Sequence, residues 1–381
     1  MRLQFTTGLL LATCFLIGGC SPSVVERDQS RHVALQHLEA ELASSQDYVS
    51  PLAERIDATL ARELSDRQLD ARVNAAWQIM HGIICYGQQL PLQTEEDGQV
   101  AALDFALNGG QIHGFEITLA ETPLPTTGRQ GILARLEPGS YIGQGHPDQW
   151  LAIFAMAGIP LETEVRVGEQ TATLLDWARQ AQYDIPNNMV DEFSWTLIAL
   201  THYFPNEPQW PVRGGGMLSW EQLVEAELIY DNLDASPCGG THRLAGLVRA
   251  VQAKQRLGLP DSDVWQRAES TIDSCIDSVK QHRGSNGALS SYYFVRPSQS
   301  ADLVAELASS GHLFEFLALA LPQAELKEPW VALSATRLCD ILDATTAVDL
   351  DCGALYHALH GLKIYGERIQ SGDTKDTTPH P

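Results

Sequence analysis

Histidine is the residue type in this chain with the widest chemical reach. Twelve histidines occur in 381 residues. Seven of them, His81, His146, His202, His242, His312, His357 and His360, lie within or beside segments that are apolar on every side. Imidazole binds transition metals and also moves protons near neutral pH, so a converging set would serve either as a metal site or as a general acid/base set. His146, His242, His312 and His357 each fall near the start of such a segment. A His inside a helix can equally be an ordinary packed, hydrogen-bonded residue, and both roles stay open. The motif CGGTHRLAGL places Cys238 just before a helix start and His242 one turn on. That arrangement suits a Cys-His nucleophile pair, because a thiol at a helix N-terminus tends to ionise. Alternatively Gly239 and Gly240 allow a tight entry, Thr241 caps the helix, and Cys238 packs against or bonds Cys352. Asp148, Glu192 and Glu315 lie in the same segments, and a facing carboxylate pair would suit glycosidic hydrolysis. Trp150, Trp195, Tyr292 and Tyr293 could line a sugar cleft. The strongest catalytic set is His312, His357, His242 and Tyr292.

Two kinds of helix must position these residues. One kind is apolar all round: AAWQIMHGIICYG from Ala75, QWLAIFAMAG from Gln149, FSWTLIALTHYF from Phe193, GGTHRLAGLVRAV from Gly239, SGHLFEFLALAL from Ser310 and CGALYHALHGLKIYG from Cys352. The other is amphipathic: TATLLDWARQAQ, SWEQLVEAELIY, VWQRAESTIDSCIDSVK and AELKEPWVALSATRLCDIL. Helices without a polar face must be buried and those with one lie outside. Six buried helices with outer ones in the gaps predict an all-α (α/α)6 toroid over residues 31–370. Taking Ala75, Trp150, Ser194, Cys238, Ser310 and Cys352 as markers, the intervals are 75, 44, 44, 72 and 42 residues. Three of these match one helical hairpin, as in a periodic array with two expanded units. Apolar spacing extends the helical pattern over about residues 31–69, and short strands are expected near Ile112–Leu119 and Val165–Val167. Long Pro- and Gly-rich loops, residues 121–147, 234–241 and 283–300, lead into the N-terminal ends of buried helices. Long loops in a compact domain tend to be functional, which makes that face the working one. Residues 371–381 read as a disordered tail.

The chain starts with Met1 and Arg2, then an apolar run to Ile17 that is too short for an ordinary membrane span and ends in small residues. The ending LIGGC resembles the lipobox of bacterial lipoproteins. The resemblance implies a signal peptide over residues 1–19, lipidation of Cys20, and a polar tether to residue 30. Ser21 after the cysteine implies sorting to the outer membrane, facing the periplasm. The remaining cysteines, Cys85, Cys238, Cys275, Cys339 and Cys352, are odd in number, so an oxidising envelope would leave at least one thiol free. The 25 Lys and Arg against 48 Asp and Glu give a net charge of -23. Nucleic acid is therefore excluded as a partner, since duplex binding rests on phosphate neutralisation. The partners expected are the membrane through Cys20 and a small-molecule, glycan or protein ligand.

The segment GALYHALHGLKIYG is similar to the last inner helix of protein prenyltransferase β subunits, where a Tyr-His pair precedes small residues and the His binds zinc; His357 takes that position. SNGALSSYYF, from Ser285 to Phe294, resembles the Asp-Gly-Cys turn of that family. Asn286 and Ala288 stand where its Asp and Cys would supply zinc ligands, so two of three ligands are replaced; no cofactor is expected, with zinc left as the one open alternative. DLDC from Asp349 lacks the last Asp of the class II terpene-cyclase acid motif. The resemblance therefore implies the toroid fold and not prenyl transfer. GHPDQWLAI, EFSWTLIAL, CGGTHRL and YHALHGL resemble segments of a large family of bacterial envelope lipoproteins of unassigned activity. Polysaccharide lyases with toroid domains use Tyr, His, Arg and Asn, which points to Tyr292, Tyr356, His357, Arg243 and Asn286 in an enzymatic reading. Two functions follow: a ligand-binding envelope lipoprotein, or an enzyme (lyase, hydrolase or terpenoid-type) working at the cavity face.

Overall fold

The computed structural model describes residues 48–188, 192–229 and 233–371. The signal peptide, Cys20, the tether to residue 30, the helix expected over 31–47 and the tail beyond Ser371 lie outside the described residues. The fold is mostly α: 57% of the described residues are helical and the strands among them are two to four residues long.

The first helix, α1 (Val49–Asp66), buries Leu52, Ala53, Ile56 and Thr59 on one stripe, the spacing of an amphipathic helix. After β1 (Leu69–Asp70), a unit of one plan recurs three times: a buried helix, a hairpin, then an outer helix. The first unit is α2 (Ala76–Tyr86), β2 (Pro91–Gln93), β3 (Gln99–Ala101) and α3 (Ala102–Leu107); β1 adds to β2 in parallel. A separate hairpin, β4 (Ile117–Leu119) with β5 (Ile132–Ala134), follows. The second unit is α4 (Gln149–Met156), β6 (Glu164–Val167), β7 (Gln170–Thr173) and α5 (Leu174–Asp184). The third is α6 (Ser194–Tyr203), β8 (Gln209–Pro211), β9 (Met217–Ser219) and α7 (Trp220–Ile229). All four hairpins are antiparallel. The rest is helical: α8 (Thr241–Leu257), α9 (Asp263–His282), α10 (Leu303–Ala320), the short α11 (Gln323–Leu326), α12 (Pro329–Ala344) and α13 (Cys352–Gln370).

Local chemistry sets the helix starts. Thr173 and Asp176 form a reciprocal capping box on α5, Ser262 accepts from the Trp265 amide on α9, and Asp351 accepts from the Ala354 amide at 3.1 Å on α13. Each cap satisfies an amide that the helix itself leaves unpaired. Packing follows the polarity of the faces. Residues Gln149–Ala155 of α4 and Ser194–Thr201 of α6 are all buried. The buried helices contact one another in cyclic order: α2 on α4, α4 on α6, α6 on α8, α8 on α10, α10 on α13, and α13 back on α2. Outside them, α5 bridges α4 and α6, α7 bridges α6 and α8, α9 bridges α8 and α10, and α12 joins α10 to α1. α10 and α13 lie backbone to backbone. A Cβ on Gly311 would stand 2.8 Å from Ala358 Cβ, and one on Gly361 would stand 2.8 Å from Glu315 Cα, so only glycine permits this backbone contact.

Three sequence expectations change. The buried segment placed at Ser310 begins at Leu303, because Asp302 caps it by accepting from the Val304 amide at 2.9 Å; His312 therefore lies in the middle of α10, not near its start. The outer segment AELKEPWVALSATRLCDIL is broken into α11 and α12, since Pro329 has no amide to continue a helix and instead opens α12. Near Ile112–Leu119 only Ile117–Leu119 is strand, and the hairpins at β2/β3 and β8/β9 had no expected counterpart.

Candidate functional site

Loops and strained turns border the place where the buried helices bring their histidines together. Among the described residues four non-glycine residues have left-handed φ: Tyr141 at 56°, Asp148 at 57°, Cys238 at 52° and Tyr293 at 49°. Such backbone costs on the order of 1–3 kcal/mol per residue and persists where the surroundings impose it. Tyr141 sets its ring edge-on to Trp77 at 4.9 Å, and Trp77 lies 4.2 Å from His81. Asp148 precedes the first turn of α4 without capping it through its side chain, and accepts instead from the Thr196 hydroxyl at 2.6 Å. Cys238 precedes Gly239 and Gly240, at φ 63° and 82°, in a turn that delivers the chain into α8. Tyr293 closes over this turn so tightly that a Cβ on Gly239 would fall 2.2 Å from its ring.

The histidines form one contiguous cluster. Ring centroids lie 4.3 Å apart for His312 and His357, 5.1 Å for His242 and His357, and 5.6 Å for His242 and His312. His81 stands 5.4 Å from His357, and His146 stands 5.9 Å from His242. His81, His242, His312 and His357 are 2%, 9%, 5% and 2% exposed. Their hydrogen bonds fix which nitrogen carries the proton. His81 Nδ1 donates to the Trp77 carbonyl at 2.5 Å and His312 Nδ1 donates to the Ala308 carbonyl at 2.7 Å. A carbonyl only accepts, so both rings keep a lone pair on Nε2. Burial, with His357 beside them, pushes the His81 and His312 imidazoles down to about 3, which makes them neutral at physiological pH. Burial and the neighbouring imidazoles of His357, His312 and His146 likewise hold His242 well below its ordinary value. His242 Nδ1, His242 Nε2 and His357 Nε2 have no hydrogen-bond partner within the protein.

Carboxylates back the cluster from two sides. Glu315 on α10 bridges two rings of α13, with His357 Nδ1 at 2.7 Å from one oxygen and His360 Nδ1 on the other. Burial alone would raise the Glu315 carboxyl, but the paired imidazoles hold it well below the ordinary range. On the other side Glu192 sits against His146 Nδ1. Arg243 reaches toward Glu192 at 3.9 Å and pairs with Glu227 at 2.8 Å. Glu227 also accepts the Phe193 amide, and burial pushes its carboxyl up to about 7. Burial pushes Asp148 up to about 6. The three carboxylates noted in the sequence thus serve different partners.

The structure brings together His242, His312 and His357, as the helix pattern required. It does not bring Tyr292 with them. That side chain is 51% exposed, and the Arg296 guanidinium lies 3.6 Å over its ring. His202 meets Tyr203 edge-on instead, and Asn286 accepts the Ala288 amide within its own turn. All five described cysteines are free thiols, so Cys238 and Cys352 are not bonded. Burial pushes the Cys238 thiol up to about 12, the opposite of the ionised helix-terminal nucleophile. Thr241 does not cap α8 as an acceptor; its hydroxyl donates to the Cys238 carbonyl at 3.0 Å. Sequence reasoning left two members of the site without their roles. His81 reaches the cluster because α13 packs back on α2, and Glu315 reaches His357 through the glycine contacts of α10 and α13; a contact between distant segments leaves no local signal. Comparison with protein-family models, curated proteins and solved structures finds no match to this chain.

Proposed function

We propose that this is a lipoprotein of the cell envelope, anchored through Cys20 in the outer membrane and facing the periplasm, with an (α/α)6 toroid that binds a ligand at its histidine centre. The cyclic packing of six buried helices, with outer helices in the gaps, supports the toroid. One observation carries the ligand reading: three buried imidazole nitrogens, two on His242 and one on His357, lack a partner within the protein. Buried polar groups are satisfied in the great majority of native cores, and exceptions concentrate at functional sites. On His242, held neutral at pH 7 by burial, a lone pair with no donor fits a ligand that accepts electron density or donates a proton.

The test is chemical denaturation of the chain with His242 replaced by leucine, which is apolar and of comparable size. Removing two unsatisfied nitrogens is expected to stabilise the ligand-free fold by about 1 kcal/mol. A loss of that size or more would make His242 a packing residue and defeat the ligand reading. The enzymatic alternative, on a polysaccharide or isoprenoid-like substrate, is favoured by the carboxyls of Asp148 and Glu227 at about 6 and 7, where acid/base catalysis works best.

A further inference from the structure

We propose that Cys238, His242 and His312 are the ligands of a transition-metal site, taking a first-row ion of the zinc class. This deepens the reading of the histidine centre as a ligand site and rests on it. One donor atom from each of the three residues lies within 4.8 Å of the others, so small side-chain rotations bring all three onto one ion. Both imidazoles are more than nine-tenths buried, and neither nitrogen of His242 is used by the protein.

His312 has the surroundings of a metal ligand. A metal-bound His normally donates its other N–H to a carbonyl or carboxylate, which fixes its tautomer. His312 does this through Nδ1 to the Ala308 carbonyl, leaving Nε2 for an ion. The Cys238 thiol is held in a left-handed turn, at φ 52°, beside the first turn of α8 that carries His242. A fourth donor is at hand in His357, whose ring lies 4.3 and 5.1 Å from those of His312 and His242. Glu315 holds its Nδ1 at 2.7 Å, so its Nε2 is also unused. The donor types choose the ion. Hard cations such as magnesium and calcium take oxygen ligands, whereas imidazole and thiolate select the borderline ions at the zinc end of the first row. On binding, the ion replaces the thiol proton, which passes to solvent.

Two of these three ligands, Cys238 and His242, come from the motif CGGTHRLAGL, whose local pattern also fits a nucleophile pair or simple packing. The third, His312, joins them through the contact of α8 with α10. Nothing in the spacing of Cys238 and His312, 74 positions apart, could have nominated the trio.

The experiment titrates cobalt(II) into the full, tag-free chain after chelator treatment, reading the thiolate-to-cobalt charge-transfer absorption. One ion per chain, with that absorption and a tetrahedral visible spectrum, is expected for the parent. Cys238→Ser should lose the charge-transfer absorption, and His312→Gln should lose binding, with the melting of both in chelator close to the parent's. Two variants on separate elements keep the test decisive if one of them fails to fold. No binding by the parent, or charge transfer that survives Cys238→Ser, overturns the site. If cobalt does not bind while His242→Leu still stabilises the ligand-free chain, the metal alone falls and the ligand reading stands. If His242→Leu destabilises it, both fall.

Discussion

Glu306 and His242 are buried to similar depth, 3% and 9% exposed, and their surroundings are opposites. Glu306 faces the wall between α10 and α12, where both its oxygens accept from Arg337 at 2.8 Å. Neither ring nitrogen of His242 has a partner within the protein. The other wall charges resemble Glu306. Asp176 closes a capping box and pairs with Arg129 at 2.7 Å, and Glu63 is held by Arg62 and Arg67. The walls are built by the ordinary rule that a buried charge is paired and hydrogen-bonded. The centre departs from it, and the backbone strain departs in the same place, at Tyr141, Asp148, Cys238 and Tyr293. Backbone strain and unpaired imidazole nitrogens thus lie side by side at one cluster. A fold under selection for stability alone would discard both.

Breaking the wall should have the largest effect. Glu306→Ala leaves the Arg337 guanidinium, partly buried, without its bidentate partner, and is expected to cost about 3 kcal/mol. Urea denaturation with an unchanged slope would read it. The sign matters more than the size: His242→Leu at the centre should move stability the other way. If both substitutions destabilise alike, wall and centre obey one rule and the contrast fails.

A smaller effect is expected where wall and centre meet. Gly361 lets α13 lie directly on the backbone of α10, and the same contact sets Glu315 between His357 and His360. Gly361→Ala forces the helices apart, because the added methyl meets backbone that cannot rotate away, and should cost about 2 kcal/mol. Thermal melting checks it. A neutral outcome would mean that the α10–α13 contact is loose, and with it the bridge that orients His357.

Much of the architecture could be read from the chain. Buried and amphipathic helices were separable by their faces, so α2, α4, α6, α8, α10 and α13 were all expected, and the loops leading into them do carry the strained residues. Boundaries failed where one residue decided them: the cap at Asp302 and the break at Pro329. The short hairpins escaped because three residues cannot show alternation. Yet Leu103-Asp104-Phe105 and Leu175-Asp176-Trp177, each following a hairpin and opening an outer helix, repeat a pattern that would have betrayed two of the three units. The site was legible only in part. His242, His312 and His357 followed from the helix pattern, whereas Tyr292 was chosen by residue type and lies at the surface. Partners such as Glu315 with His357, 42 positions apart, exist only once the helices pack.

Asp148 gives the finest test, because it belongs to the strained border yet has one partner, the Thr196 hydroxyl. Burial raises its carboxyl from 3.8 to about 6, against the lowering by Thr196. At the lowest pH it is protonated in both folded and unfolded chains and contributes nothing. As pH rises from 3.8 toward 6 the unfolded chain releases the proton while the folded one keeps it, so stability falls. Above that window the penalty is constant. Asn at position 148 keeps an acceptor for Thr196, tolerates the left-handed backbone, and cannot titrate. Asp148→Asn should therefore flatten the decline across this window and leave the variant the more stable at neutral pH, as urea midpoints at a series of pH values would show. Parallel curves for parent and variant would place the folded Asp148 carboxyl in water-like surroundings, and the rule of the walls would then extend to the edge of the histidine cluster itself.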